Sequence, residues 1–235
     1  MASNAQRILA IGGASLGPSS TDWLLHQFML DLSGRERPRI CFVATASGEN
    51  AQGLAAFYAT FARRAEPTHL DLFGRQVEDV EAFLLDQDVI YVGGGNTANL
   101  LAVWRAHGID RILRRAWAEG VVLTGLSAGS LCWFEGGTTD SFGGLAALRD
   151  GLGFLPGSHT PHYDGEPGRR PTYHRLVADG SLPDGYAADD CAALVYRGTQ
   201  LVEVVTSQPA ARGYRVERGP NGRAVETELP ARYLG

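Results

Sequence analysis

The sequence lacks lysine, has few cysteines and carries no excess of positive charge. All 21 basic residues are arginines, and 26 acidic residues give a net charge of -5. Nucleic acid is therefore not expected as a partner, because phosphate binding needs a concentrated positive field. The three cysteines are widely spaced and odd in number. This pattern indicates reduced thiols in a cytoplasmic protein rather than disulfides or a metal site.

The sequence also shows no pattern typical of a targeting segment or a membrane span. The first six residues are polar, with no charged segment leading into an apolar core, so secretion is not expected. No stretch approaches the roughly 20 apolar residues that cross a bilayer, so no membrane partner is expected either. Hydrophobic residues make up 44% of the 235 residues, which is enough for a large core. We expect one α/β domain over residues 1–235.

Short apolar runs alternate with helical patterns through the first half of the chain. Such runs are typical of buried parallel strands, and they lie at 7–13, 39–44, 68–73, 88–92 and 121–124. Helical spacing of apolar residues lies at 21–32, 50–64, 77–85, 98–107 and 109–118. The alternation predicts an α/β fold with a mainly parallel twisted sheet and helices on both faces.

The second half of the chain is less regular. Residues 142–172 hold many Gly, Pro and His and no clear element, which predicts an active-site loop region. A short helix is predicted over 173–178. From residue 186 onward, strand-like runs predict antiparallel strands that extend the sheet edge.

A Gly-x-Ser-x-Gly turn, Gly125 to Gly129, follows the apolar run that ends at residue 124. Its small residues allow a sharp turn from strand to helix, which lifts the hydroxyl of Ser127 to the end of a sheet. The N–H groups at the start of the next helix suit a developing oxyanion, and that of Ala128 is the local donor. The alternative is a tight turn in which Ser127 only caps the helix.

A serine nucleophile needs a base, and loops on a rigid sheet are where a base is expected. His159 and His162 both lie in the loop region. Pro161 stiffens the backbone just before His162, which we therefore favour as the base. His159 and His174 remain alternatives.

The base in turn needs an orienting acid. Asp189 and Asp190 follow small residues at the start of a predicted strand, and a solvated strand end is the other interpretation of this pair. The resulting Ser-His-Asp order differs from the Ser-Asp-His order of α/β-hydrolases. No histidine follows His174, which speaks against that common fold.

The second oxyanion donor is expected at a neighbouring strand end, where Gly93 to Gly95 follow the run 88–92. Glycine allows the close backbone approach that such a donor needs. The alternative is a phosphate cradle, but the triple glycine matches neither Gly-x-Gly-x-x-Gly nor the lysine-bearing P-loop. No cofactor and no metal are expected.

Four segments together resemble the peptidase E family of aspartyl dipeptidases and cyanophycinases. They are Tyr91 to Thr97, Gly125 to Gly129, Thr138 to Ser141 and Pro161 to Tyr163. The resemblance spans nearly the whole chain. It implies a serine hydrolase on a fold related to class I glutamine amidotransferases, and a homodimer is plausible from the family.

The resemblance also implies roles for individual residues. Ser127 corresponds to the nucleophile and His162 to the base, while Gly95 matches the oxyanion donor. The family's acid falls on Asp189, with Asp190 as the alternative because Asp is one methylene shorter than the usual Glu.

The implied substrates are short peptides, in the founding members dipeptides with an N-terminal aspartate. An acidic side chain needs a cation, which Arg169, Arg170 or Arg175 could supply. A free amino group needs a carboxylate, and the sequence offers Asp140, Glu135 and Glu166. The substrate-binding residues that we predict are Asp140, Asn96, Arg170 and Glu135.

The family's specificity arginine aligns with Thr172, so a preference for aspartate is put in doubt. Two other functions stay open at this point. One is an esterase or another amide hydrolase with the same triad. The other is a non-catalytic relative that binds small molecules.

Overall fold

The structure, a computed structural model, describes residues 6–17 and 22–235. The strands within these residues are β1 (Arg7–Ile11), β2 (Arg39–Val43), β3 (Glu66–Leu70), β4 (Val89–Val92), β5 (Val122–Leu126), β6 (Phe134–Thr139), β7 (Ala146–Leu148), β8 (Leu155–Thr160), β9 (Gly185–Ala188), β10 (Ala192–Arg197), β11 (Gln200–Thr206), β12 (Gly213–Arg218), β13 (Ala224–Leu229) and β14 (Ala231–Tyr233). The helices are α1 (Trp23–Asp31), α2 (Ala51–Phe61), α3 (Val80–Leu85), α4 (Thr97–His107), α5 (Ile109–Ala118), α6 (Ala128–Leu131) and α7 (Arg169–Ala178).

The apolar runs of the first half form the parallel centre of an eight-stranded sheet. Its order is β14-β11-β10-β1-β5-β4-β2-β3. The five strands from β1 to β3 in this order pair in parallel, whereas β10 pairs antiparallel with both β1 and β11. The carboxyl ends of β1, β4 and β5 therefore meet at one edge, where ligands bind in open α/β sheets.

Both faces of the sheet are covered at its centre, which explains why β1, β2, β4 and β5 are mostly apolar. On β1, Leu9 and Ile11 pack with α1 and α2, whereas Ile8 and Ala10 face the layer that contains α4 and α5. Burial on both faces removes the alternation that a half-exposed strand would show. The chain is thus a mixed α/β fold, as the sequence predicts. Among the described residues, no helix combines the length and apolar character needed to cross a bilayer.

A second, six-stranded sheet corrects the prediction for the rest of the chain. Its order is β13-β12-β9-β8-β6-β7. The region 142–172, predicted as loop, contains β7 and β8. The late strands do not all extend the first sheet, because β12 and β13 belong to the second. In β8 three of the four buried side chains are polar, those of Ser158, His159 and Thr160, so the strand lacks a continuous apolar signal.

The helix predicted after the Gly-x-Ser-x-Gly turn is a single turn, and the last predicted helix begins earlier than expected. Helix α6 ends at Leu131, and Phe134 already begins β6. Helix α7 starts at Arg169, four residues before the predicted start at 173. The predicted first residue of the helix 21–32, Thr21, lies outside the described residues.

Candidate active site

The turn between β5 and α6 holds Ser127 in a strained backbone conformation. Its φ is 56° and its ψ is -118°, a region that residues with a side chain seldom adopt. Gly129 makes the tight packing possible, since a Cβ there would lie 2.3 Å from the carbonyl oxygen of Val92. The Ser127 side chain makes no capping hydrogen bond to α6. The capping alternative therefore finds no support in the structure.

Hydrogen bonds from three directions fix the turn. The N–H of Ser127 donates to the carbonyl of Ile11 at the end of β1, at 3.2 Å. Below the turn, Ser130 Oγ lies 2.8 Å from the Ser127 carbonyl oxygen and 3.1 Å from His159 Nε2. Burial lowers the pKa of His159 to about 3. His159 is thus a neutral, buried residue that supports the turn, and it does not face the cleft described below.

The two residues predicted to supply oxyanion donors lie close to Ser127, Gly95 in the same cleft lining and Ala128 next in the chain. A Cβ on Gly94 would be 3.2 Å from the Cβ of Ser127, so the triple glycine lies against the turn. Gly95 has φ 137°, where any side chain would be strained. Ala128 is the first residue of α6. The N–H groups in the first turn of a helix have no carbonyl acceptor within that helix, so the N–H of Ala128 has none there. The oxyanion role itself stays a prediction.

His162 is hydrogen-bonded to Asp190. Its Nδ1 lies 2.6 Å from Asp190 Oδ1, and its backbone has φ 52°. The hydrogen bond from His162, followed by the charges of His162 and Arg169, keeps the pKa of the Asp190 carboxyl below its usual range despite partial burial. An ionised carboxylate only accepts, so Nδ1 is the donor, and in the neutral imidazole this tautomer makes Nε2 the acceptor. Within the described residues, no hydrogen bond joins His162 to Ser127 Oγ.

The acid prediction needs a correction, because Asp190 contacts His162 and Asp189 does not. Asp189 is buried beside β12, where its Oδ2 accepts from the N–H of Arg212 at 2.9 Å and from the Tyr214 hydroxyl at 3.3 Å. Burial, with the nearby charge of Asp164, raises the pKa of Asp189 to about 6. Neighbouring residues in extended backbone point in opposite directions, so only one of the two carboxylates can face the histidine.

A cleft of about 330 Å³ opens in front of Ser127. It is lined by Gly95, Asn96, Ser127, Asp140, Ser141, Glu166 and Arg169. The structure thus brings Asn96 and Asp140 to the cleft, as the substrate-binding prediction requires. Asn96 Nδ2 donates to the Ser141 carbonyl oxygen at 3.1 Å, which ties the start of α4 to the opposite wall.

The guanidinium that reaches the cleft is that of Arg169. Its side chain is buried and donates through Nε to Glu166 Oε2 at 2.7 Å and through Nη1 to the Thr138 carbonyl oxygen at 3.1 Å. Glu166 therefore neutralises Arg169 at the cleft. With Asp140 added, the charged residues lining the cleft carry a net negative charge.

The other two predicted substrate-binding residues lie elsewhere. Arg170 points away from the cleft, packs over the rings of Tyr163 and Tyr214 and forms an ion pair with Glu226. Glu135 is exposed on β6 and accepts from the N–H of Gly157 at 2.8 Å. Both predictions are corrected here. The reason is helical phase for Arg170, since residues next to each other on a helix face different sides.

Gly13 is a site residue that the sequence reasoning did not assign. A Cβ there would lie 2.0 Å from Asp190 Oδ1 and 2.7 Å from the His162 ring. Gly165 lies against the other carboxylate oxygen, because a Cβ built on Gly165 would be 2.2 Å from Asp190 Oδ2. The position of Gly13 at the end of β1 was the available signal, because that strand end shares an edge with Ser127.

Larger clefts occur away from this edge. One of about 500 Å³ includes Arg7, Arg39 and Asp88 in its lining, and one of about 450 Å³ includes Arg111 and Phe154. Neither contains a serine beside a histidine, so size alone does not identify the site. Among the described residues, no three His, Cys, Asp or Glu side chains are grouped to hold a metal ion.

The model of peptidase family S51 matches residues 8–204 of the chain. The uncharacterized peptidase YgaJ of Bacillus subtilis (strain 168) is 48% identical over 231 residues, which cover 98% of this chain and all of that protein. This similarity runs through every segment that forms the site.

Two solved structures share the fold. A peptidase from an acI-B1 actinobacterium has a TM-score of 0.69 at 18% identity, covering 97% of this chain and 95% of that one. A Listeria monocytogenes EGD-e protein provisionally named a peptidase E has a TM-score of 0.62 at 18% identity, covering 96% of this chain and all of the other. At this identity the likeness concerns the fold alone.

Proposed function

The chain belongs to peptidase family S51, and from that premise we propose that it is a serine-type peptidase acting on short peptides through Ser127, His162 and Asp190. The observation that carries this proposal is the strained Ser127 at the cleft, next to the strand end that also holds the His162–Asp190 pair. Strained backbone at a cleft is typical of catalytic groups.

In the proposed first step, Ser127 Oγ attacks the carbonyl carbon of the scissile amide. His162 Nε2 takes the hydroxyl proton, and Asp190 stabilises the imidazolium that forms. The N–H groups of Gly95 and Ala128 hold the oxyanion, and a single strong donor of this kind is typically worth about 3–4 kcal/mol.

Collapse of the tetrahedral intermediate breaks the C–N bond. His162 gives its proton to the leaving amine, and the acyl group remains as an ester on Ser127. Water then attacks this ester, with His162 as the base for the water proton. The carboxylate product leaves, and the serine regains its proton. The sequence of steps uses the three side chains, the two backbone N–H groups and water.

Short peptides are the substrate class that the cleft favours. A volume of about 330 Å³ suits a few residues rather than a folded chain. Asp140 lies at the cleft and is exposed, so its carboxylate can pair with a free amino terminus. Carboxylate pairing of this kind would select unblocked peptides.

The test is a dipeptide library assayed with the wild-type protein and Ser127→Ala. We expect hydrolysis of free dipeptides by the wild type and a loss of at least about 10³-fold in kcat for the variant, because the nucleophile is removed. Ser33→Ala is the matched control, since Ser33 lines a cleft at the opposite edge of the sheet. It should keep full activity.

A fluorophosphonate probe gives a second measurement that does not depend on the choice of peptide. Labelling should fall on Ser127, identified by mass spectrometry, and should be absent in Ser127→Ala. Peptidase activity that survives Ser127→Ala would contradict the mechanism. Cleavage of aminoacyl esters without any cleavage of peptides would favour the esterase alternative.

A further inference from the structure

Phe142 is an exposed aromatic residue that directly follows two residues of the cleft lining. Its exposed fraction is 71%. Single exposed apolar residues are common on protein surfaces, so exposure alone means little. What distinguishes Phe142 is its position, because it follows Asp140 and Ser141, which line the cleft with Ser127.

The backbone around Phe142 is fixed, although its side chain has few neighbours. The N–H of Gly143 donates to the Asp140 carbonyl oxygen at 2.9 Å, which closes a turn with Phe142 in its third position. Ser141 Oγ accepts from the N–H of Ala98 at 3.2 Å. The turn is therefore tied to α4, and it presents the phenyl ring from a defined place.

The two glycines after Phe142 lie in open surroundings. A Cβ on Gly143 or Gly144 would meet no atom within 4 Å. Leu145 then lies 3.8 Å from the place where a Cβ on Gly168 would be, just before α7. The segment from Ser141 to Leu145 thus contacts α4 at one end and the residue before α7 at the other.

We propose that Phe142 contacts the side chain of the substrate's N-terminal residue and selects peptides whose N-terminal residue is apolar. This inference rests on the proposed function and deepens it. Asp140 holds the amino group of that residue, so its side chain lies near the same turn. An acidic side chain would instead meet Asp140 and Glu166, with Arg169 already engaged by Glu166 and Thr138.

The experiment compares kcat/KM for Phe-Ala, Leu-Ala, Gly-Ala and Asp-Ala in the wild type and in Phe142→Ala. We expect the wild type to prefer Phe-Ala and Leu-Ala. The variant should lose about 10-fold on these two, mainly through KM, because an apolar contact of this size is worth 10–200-fold in discrimination. Gly-Ala should change less than twofold, and Phe142→Leu should restore most of the preference.

Phe73→Ala is the matched control, because Phe73 is also exposed, at 62%, and neither of its neighbours in sequence lines the cleft. It should leave all four values unchanged. An equal loss on every substrate in Phe142→Ala would overturn the inference, and so would a preference for Asp-Ala. A changed oligomeric state with unchanged selectivity would also overturn it and identify Phe142 as a contact between copies.

The two proposals fail in different ways. If Ser127 is needed for hydrolysis but Phe142→Ala leaves the ratio of Phe-Ala to Gly-Ala unchanged, only the present inference is lost. If the wild type cleaves none of the four dipeptides, and none in the library, both are overturned.

Discussion

Asp189 and Asp190 show how one residue step decides a chemical role. Asp190 pairs with Gly13 of the β1 end and faces His162, whereas Asp189 turns toward β12. Cys191, with φ 64°, then redirects the chain into β10. The sequence predicts an acidic pair at this place, but the phase of the strand end sets which carboxylate faces the histidine. That phase depends on pairing with distant strands, so local sequence could not supply it.

At the residue scale, Asp190→Asn should lower kcat by about 10⁴-fold, because an amide no longer fixes the His162 tautomer or stabilises the imidazolium. Asp189→Asn should lower kcat by less than about 10-fold, since it keeps an oxygen that accepts from Arg212 and Tyr214. Steady-state kinetics on the best dipeptide measures both, with circular dichroism as the folding control. The reverse order of effects would return the acid role to Asp189.

At the scale of elements, strands could be predicted from the sequence where the burial of apolar side chains alone determines them. The runs that form β1, β2, β4 and β5 are apolar because both faces of the sheet are buried, and this signal is local. In β8 the buried polar side chains form hydrogen bonds with residues far along the chain: Ser158 with Tyr173, His159 with Ser130 and Thr160 with Thr138. Such a strand has no local pattern, and the second sheet was therefore missed.

The site divides in the same way. Ser127, the triple glycine and His162 belong to short motifs whose geometry is local, so their residues could be named from the sequence. The contributions of Gly13 and Arg169 come from strand ends and a helix start that meet only in the folded chain. The contacts of Gly13 and Arg169 depend on the order of the strands in the sheets, which the sequence does not determine.

The carboxyl end of β1 offers a test at the element scale. Gly13→Ala should lower kcat/KM by at least about 100-fold, because the added methyl would displace Asp190 and the His162 ring by an ångström or more. The effect should appear without either residue being changed. The measurement is kcat/KM together with the unfolding midpoint in urea.

Gly74→Ala is the control for that change. A Cβ at Gly74 meets nothing within 4 Å, so activity and stability should both stay near the wild-type values. If Gly13→Ala has full activity, the close packing of β1 against the His162–Asp190 pair is not needed for catalysis.

At the scale of the whole molecule, three buried groups with shifted pKa values contribute to the response of stability between pH 6.5 and 4. Burial lowers the pKa of His26 to about 4 and that of His159 to about 3. Unfolded histidine has a pKa near 6.5, so below that value the unfolded chain binds protons that the folded chain does not. Each histidine then removes about 1.4 kcal/mol of unfolding free energy per pH unit.

Asp189 acts in the opposite direction. Its pKa is about 6 in the folded chain, above the unfolded value near 3.9, so its contribution to stability is complete below pH 3.9 and is lost as pH rises through 6. One carboxylate offsets one of the two histidines. The balance predicts that the free energy of unfolding falls by about 1.4 kcal/mol per pH unit as the pH is lowered from 6 to 4.

His26→Leu isolates one part of that balance. Within the described residues, the two ring nitrogens of His26 are buried without a hydrogen-bond partner, so leucine should be tolerated at pH 8. Between pH 8 and pH 5 the free energy of unfolding of the variant should rise by about 2 kcal/mol relative to that of the wild type. This is the effect of about 1.5 pH units below the pKa of unfolded histidine, over which only the wild type loses stability through His26. Urea denaturation at both pH values measures this gain, with the exposed His107→Leu as control. Parallel stability curves for His26→Leu and the wild type would mean that burial of His26 does not drive acid unfolding.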